Sequence, residues 1–256
     1  MIRTRHEIKY FITEAQAGAI AESIRPFMRP DRHSVTGLYP LVSLYLDTDD
    51  LLLCRQSMDG IKTRFKLRIR SYSDEPDAPC FFEIKRRINQ IIIKSRAQVP
   101  HCAMAPLLAY AGCPSSVNPD ERRLLEQFLY YRRVVGAEPI LRVRYLRQAF
   151  KSRFDDDVRV TLDRRLSLNV TRTPELGLNG SGWQRAPERG VILEIKFTHG
   201  YPMWVGRLVR EFGLRQQSIS KYARMVTHAC AMRFCAPVLH RNGHAAGSLL
   251  TTKEGR

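Results

Sequence analysis

Residues 62–72 read Lys62-Thr63-Arg64-Phe65-Lys66-Leu67-Arg68-Ile69-Arg70-Ser71-Tyr72. At a period of two, Lys62, Arg64, Lys66, Arg68 and Arg70 fall on one face, and Thr63, Phe65, Leu67, Ile69 and Ser71 on the other. The stretch is therefore a β-strand with one apolar face and one face of five positive charges. Like charges on one face of a strand sit close together and repel, so an anionic partner is expected on that side.

Outward from this strand, the same two-sided pattern recurs. Phe81–Arg87 places Glu83, Lys85 and Arg87 together, and Ile91–Val99 does so with Lys94, Arg96 and Gln98. The opening segment from Arg3 to Phe11 puts Arg5, Glu7 and Lys9 opposite His6, Ile8 and Tyr10. Val158–Asp163 puts Arg159, Thr161 and Asp163 on one side; Gly190–Phe197 puts Glu194 and Lys196 opposite Leu193, Ile195 and Phe197. Leu41–Asp47 and Pro139–Phe150 complete about eight strands. The latter carries Arg142, Arg144 and Arg147, whose parity changes, so a bulge is needed for all three to face one way.

Helices separate these strands. Thr13 is an N-cap for a helix to about Met28, Leu51–Met58 forms a short helix, and Asp59-Gly60 is a hairpin-type turn before the basic strand. Residues 100–136 are helical with breaks, the best helix being Pro119–Val135 with its Leu124, Leu125, Phe128 and Leu129 stripe. Pro202–Phe212 is an amphipathic helix stopped by Gly213, and Ser218 or Ser220 caps a last helix to about Met232. Asp155 to Asp157 form an acidic turn and Arg172–Gly190 a loop. Residues 1–235 read as one domain and 236–256 as a disordered tail.

The 256 residues hold 42 Lys and Arg against 25 Asp and Glu, a net charge of +17. That excess points to a polyanion: nucleic acid, an acidic membrane surface or a phosphate-rich small molecule. Six cysteines without C-x-x-C or metal-finger spacing suggest free thiols in a reducing cytoplasm. No apolar run approaches the roughly 18 residues that span a bilayer, and the N-terminus lacks the apolar core of a signal peptide.

If helices cover the apolar strand faces, the charged faces turn inward. The expected fold is α+β, an eight-stranded antiparallel β tunnel barrel with a charged lumen, flanked by helices. The lumen would hold Lys9, Lys66, Arg68, Arg70, Lys85, Lys94, Arg147, Arg159 and Lys196, with Glu7, Glu83, Glu194 and Asp163 among them. So many cations need counter-charge, which a chain of phosphates supplies; Arg offers bidentate donors and Lys point charges to phosphoryl oxygens. Glu194 suits a Mg²⁺ or Mn²⁺ ion bridging those oxygens. The alternative, a solvated outer face laced with salt bridges, fits one strand better than five. Nucleic acid is disfavoured because the aromatics fall on the apolar faces, away from the basic residues.

The segments R-H-E-I-K-Y, K-L-R-I-R-S-Y, F-F-E-I-K-R-R, L-R-V-R-Y-L-R-Q-A-F, V-R-V-T-L-D, L-E-I-K-F and S-I-S-K-Y follow one another in this order. Together they resemble the VTC domain, the polyphosphate polymerase branch of the triphosphate tunnel metalloenzymes, also called CYTH-like, over residues 3 to 230. The resemblance implies transfer of the γ-phosphoryl group of ATP to a growing inorganic polyphosphate chain. It assigns catalytic duty to Arg68, Arg70, Lys85, Arg147 and Arg159, and substrate binding to Lys9, Lys66, Lys94, Lys196 and Lys221. Glu194 and Glu7 would hold the metal, Mn²⁺ or Mg²⁺. Two departures stand out: Arg5 replaces the first of the superfamily's two opening glutamates, and Ser218 stands where eukaryotic members can have a second lysine. The competing expectations are a metal-dependent triphosphatase acting on tripolyphosphate or a nucleoside triphosphate, and a non-catalytic polyphosphate-binding module. No general base is needed, and His6 and His199 read as structural or surface residues. The expected setting is cytoplasmic, peripheral at the inner membrane face, with ATP and polyphosphate as ligands, a separate membrane protein as partner, and no nucleic acid.

Overall fold

A strand forms wherever the two-residue alternation persists, and a helix wherever a cap meets a 3.6-residue stripe. The computed structural model describes residues 6–33, 37–89, 91–109, 117–154, 158–187, 189–198 and 200–233. Arg5, Cys113, Asp155 to Asp157, His199, Cys235 and the expected tail lie outside them. The strands are β1 (His6–Ile12), β2 (Met28–Pro30), β3 (Tyr39–Asp47), β4 (Thr63–Ser71), β5 (Pro79–Ile88), β6 (Ile91–Pro100), β7 (Glu138–Ser152), β8 (Arg159–Val170), β9 (Gln184–Arg185) and β10 (Val191–Phe197). The helices are α1 (Glu14–Ser23), α2 (Leu52–Met58), α3 (Met104–Leu108), α4 (Pro119–Val135), α5 (Met203–Glu211) and α6 (Lys221–Ala231). The fold class is α+β, an antiparallel sheet backed by helices. Two short strands, β2 and β9, join the eight expected ones.

Caps fix the helix ends. Thr13 Oγ1 accepts from the Gln16 N–H at 3.1 Å while Gln16 Oε1 accepts from the Thr13 N–H at 3.0 Å, a reciprocal capping box. α4 has Asn118 as N-cap, Pro119 opening it, Asp120 and Glu121 in its first turn, Arg132 and Arg133 in its last, and Gly136 at φ +65° beyond. α1 ends at Ser23 instead of continuing to Met28, because Pro26 has no N–H to donate and disfavours helical backbone at Arg25; Met28–Pro30 then pairs as a strand with Phe150–Ser152. Asp59-Gly60 joins a helix to a strand, so it is not a hairpin turn.

The chain divides into two compact units. One comprises residues 1–41, 144–167 and 185–219, the other 42–143, 168–184 and 220–256. The first is built on the strand order β1-β10-β8-β7, with β2 on β7, and the second on β7-β3-β4-β5-β6. The long strands β7 and β8 contribute to both. The end strands of the hydrogen-bonded ladder are β1 and β6, and no pairing closes it among the described residues.

Each unit has its own core. In the first, Tyr10 and Ile12, Val160 and Leu162, and Val191, Leu193, Ile195 and Phe197 pack with Ala17, Ile20 and Ile24 of α1 and Val205 and Leu208 of α5. In the second, Leu44 and Leu46, Leu67 and Ile69, Phe82 and Ile84, and Ala97 and Val99 pack with Leu53, Met104, Leu107, Leu125 and Phe128 from α2, α3 and α4. Along β1, β4, β5, β6 and β10 these apolar residues alternate with polar or charged ones, whereas β3 carries no charged residue before Asp47. Helices thus cover one face of the sheet in each unit and leave the charged side chains to the other.

Cys54, Cys80 and Cys102 are free thiols. Cys230 is disulfide-bonded, which corrects the expectation of free thiols throughout. No helix among the described residues is long and apolar enough to cross a membrane.

Candidate functional site

In the second unit, strand register arranges the charged face in rows. One row is Tyr45, Arg68, Glu83 and Arg96; the next is Ser43, Arg70, Phe81 and Gln98. On the opposite side of the Arg68 row stand Lys66, Lys85 and Lys94. Glu83 is fully buried at the centre. Its Oε2 accepts from Arg68 Nε at 2.6 Å, and its Oε1 lies 2.5 Å from Lys94 Nζ and 3.4 Å from Arg96 Nε. Arg70, also buried, donates from Nε to Ser43 Oγ at 3.2 Å. Arg68, Arg70, Lys94 and Arg96 thus gather around Glu83.

The electrostatics follow from this crowding. Burial by itself raises a carboxyl, but Arg68, Arg70 and Lys94 hold that of Glu83 well below the usual carboxylate range. Burial, reinforced by Arg68 and Arg70, brings the Lys94 ammonium down to about 8 despite Glu83 beside it.

The start of α6 joins this face. Lys66 Nζ donates to Ser220 Oγ at 2.7 Å, Ser220 caps α6, and Lys221 opens the helix in a buried position. The Tyr222 ring stacks on Tyr45 at 4.5 Å, and its hydroxyl donates to Asp47 Oδ2 at 2.7 Å. Asp47 also accepts the N–H groups of Leu53 and Cys54 at 2.8 Å each, tying α2 to the same point. Burial pushes the Asp47 carboxyl up.

The first unit's charged face is built differently. Lys9, Glu194 and Thr161 form one row across β1, β10 and β8, and Glu7, Lys196 and Arg159 the next. Lys9 Nζ lies 2.8 Å from Glu7 and 3.7 Å from Glu194; Lys196 Nζ lies 3.1 Å from Glu194 and 3.5 Å from Glu7. Lys9 also donates to the Ile219 carbonyl at 2.9 Å. Arg147 forks onto Asp163 at 2.6 and 2.7 Å, with both residues buried. Arg159 donates from Nη2 to Asp31 Oδ2 at 2.7 Å. Here Lys9, Lys196, Arg147 and Arg159 are matched by Glu7, Glu194, Asp163 and Asp31. The nine expected cations therefore occupy two clusters, one in each unit.

β7 is continuous from Glu138 to Ser152, and its arginines part company: Arg147 binds Asp163, while Arg142 lies 3.5 Å from Glu175 and over the Trp183 ring. Tyr45 and Phe81 stand in the basic rows, which corrects the expectation that the aromatics keep to the apolar faces. Arg96 was legible by parity with Lys94 yet was not expected as a site residue. Asp31 gave no signal, since it follows β2 in a polar stretch and reaches Arg159 across 128 residues of sequence.

A metal is tested by its donors. Glu7 and Glu194 present two carboxylates to one shared pair of lysines, and beside Glu194 the buried Thr161 hydroxyl has no hydrogen-bond partner. Hard oxygen donors of this kind fit Mg²⁺ or Mn²⁺. Among the described residues no three His, Cys, Asp or Glu side chains gather as a metal group, so such an ion would draw most of its coordination from water and phosphate oxygens.

The sequence model of the VTC domain family matches residues 4–229. No curated protein matches the sequence significantly. Among solved structures, the PH1819 protein from Pyrococcus horikoshii OT3 is 12% identical, covering 88% of this chain and 98% of that one, with a TM-score of 0.45. The Mimivirus capping enzyme triphosphatase is 10% identical, covering 84% and 90%, with a TM-score of 0.33.

Proposed function

The chain belongs to the VTC domain family, and from that premise we propose that it is a polyphosphate polymerase. It transfers the γ-phosphoryl group of ATP to the end of an inorganic polyphosphate chain. The observation that carries this reading is the gathering of Arg68, Arg70, Lys94 and Arg96 around the buried Glu83. Cations held this close together suit a ligand with several negative charges side by side.

In the reaction, a terminal phosphate oxygen of the chain attacks the γ-phosphorus, the bond from that phosphorus to the bridging oxygen breaks, and ADP leaves with the electron pair. Arg68 and Arg70 donate to the phosphoryl oxygens as charge spreads over them, and Lys94 adds a point charge. Glu83 keeps Arg68 and Lys94 in place, so little reorganisation is needed at the moment of transfer. The attacking phosphate is already an anion at neutral pH, so no general base is required. Glu7 and Glu194 are the residues that would hold Mg²⁺ or Mn²⁺, and the chemistry such an ion supplies is neutralisation of charge on phosphate oxygens.

The test is incubation with ATP and Mn²⁺, with the acid-labile product sized on a gel. Long chains together with ADP support the polymerase. Orthophosphate as the sole product assigns a triphosphatase, and tight polyphosphate binding without ATP turnover assigns a binding module.

A further inference from the structure

Phe81 is out of place for a surface that only binds phosphate. It stands between Arg70 and Gln98 in its row, half-buried, while Phe82 and Ile84 beside it pack into the core. The Arg96 guanidinium lies over its ring at 3.5 Å from the centroid, and Tyr72 meets it edge-on at 6.0 Å and 75°. The half-exposed Arg96 guanidinium thus covers the ring. Gln98, exposed on the same row, carries an amide with both donor and acceptor, and its backbone N–H is fixed by Glu121 Oε2 at 2.5 Å.

Aromatic rings and arginine planes are what nucleobases stack on, and a glutamine amide reads a purine edge with two hydrogen bonds. The Phe81–Gln98 row lies two residues, about 6.8 Å, along the strands from the Arg68–Glu83–Arg96 row. That is a step a ribose spans. Resting on the phosphate reading above, we infer that Phe81, Arg96 and Gln98 form a purine platform. The phosphoryl donor is then recognised as a purine nucleoside triphosphate, by base as well as by phosphates.

The test compares three ligands by calorimetry on the full chain: ATP, ribose 5′-triphosphate and tripolyphosphate. With stacking in play, ATP binds about tenfold or more tighter than ribose 5′-triphosphate, and Phe81→Leu and Gln98→Ala each narrow that gap. Equal affinities for ATP and ribose 5′-triphosphate in the unaltered protein overturn the platform and leave the phosphate site standing. Absence of tripolyphosphate binding removes the phosphate reading, and the platform with it. Should Phe81→Leu lose all three ligands through misfolding, Gln98→Ala decides: a narrowed gap supports the platform and an unchanged one overturns it.

Discussion

Arg68 donates to Glu83 at 2.6 Å, and that glutamate, wholly buried, is also the neighbour of Lys94 and Arg96. One carboxylate therefore organises several cations. It sets stability and anion affinity in opposition.

Glu83→Gln is expected to lower stability by about 2–3 kcal/mol, less than the 3–5 of a fully buried pair because Arg68, Lys94 and Arg96 are partly solvated. Tripolyphosphate should then raise the melting temperature more in the variant than in the parent protein. The pH dependence has a definite sign. Because the folded carboxyl lies below its ordinary value, its stabilisation is present at neutral pH and lost as pH falls beneath the ordinary carboxylate range. Thermal melts with and without tripolyphosphate check both points.

Arg68→Ala and Arg70→Ala are each expected to cut chain-building activity by about 10²–10³-fold, since in the proposed mechanism each donates to the phosphoryl oxygens. Arg70→Lys should rescue only part of the loss, because an ammonium does not reproduce the two-pronged guanidinium. Initial rates of ADP release measure this, and full activity in both alanine variants would discard the assignment.

Lys94 binds an anion only while protonated, and burial among cations brings its ammonium to about 8. Tripolyphosphate loses protons of its own over this range, so the quantity to follow is the affinity of the parent relative to Lys94→Arg, whose charge persists. That ratio should be flat below about 8 and decline above it. Titrations from pH 6 to 9.5 at constant ionic strength distinguish the two curves.

Arg147 and Asp163 form a buried bidentate pair. Asp163→Asn should cost about 3–5 kcal/mol, because it leaves a guanidinium buried without its counter-charge. Arg147→Met combined with Asp163→Asn should recover part of that stability. Urea unfolding of the two single variants and the double variant gives the coupling directly.

The alternation in Lys62–Tyr72 was enough to locate β4 and the sidedness of its neighbours, because a period of two leaves a side chain only two directions in which to point. α4 was legible to the residue, since Asn118, Pro119 and Gly136 mark its ends with distinct chemistry. The end of α1 was legible too, in Pro26, whose ring breaks the helix before Met28 is reached; what the sequence did not show is that Met28 pairs with Ser152. Charge pattern likewise named Lys9, Arg68, Arg70, Lys94 and Glu194 as site residues without saying how their charges balance.

What the sequence determined by itself is which residues are greasy, which are charged, and that they alternate; local backbone geometry then separates them onto opposite faces. Only the tertiary structure decided which cation meets which carboxylate. Asp31 neutralises Arg159 and Asp163 captures Arg147, whereas Arg68, Arg70, Lys94 and Arg96 share Glu83. These pairings depend on strand order and register between segments far apart in the chain, and electrostatic energy depends on distances of a few ångströms that no spacing along the sequence specifies.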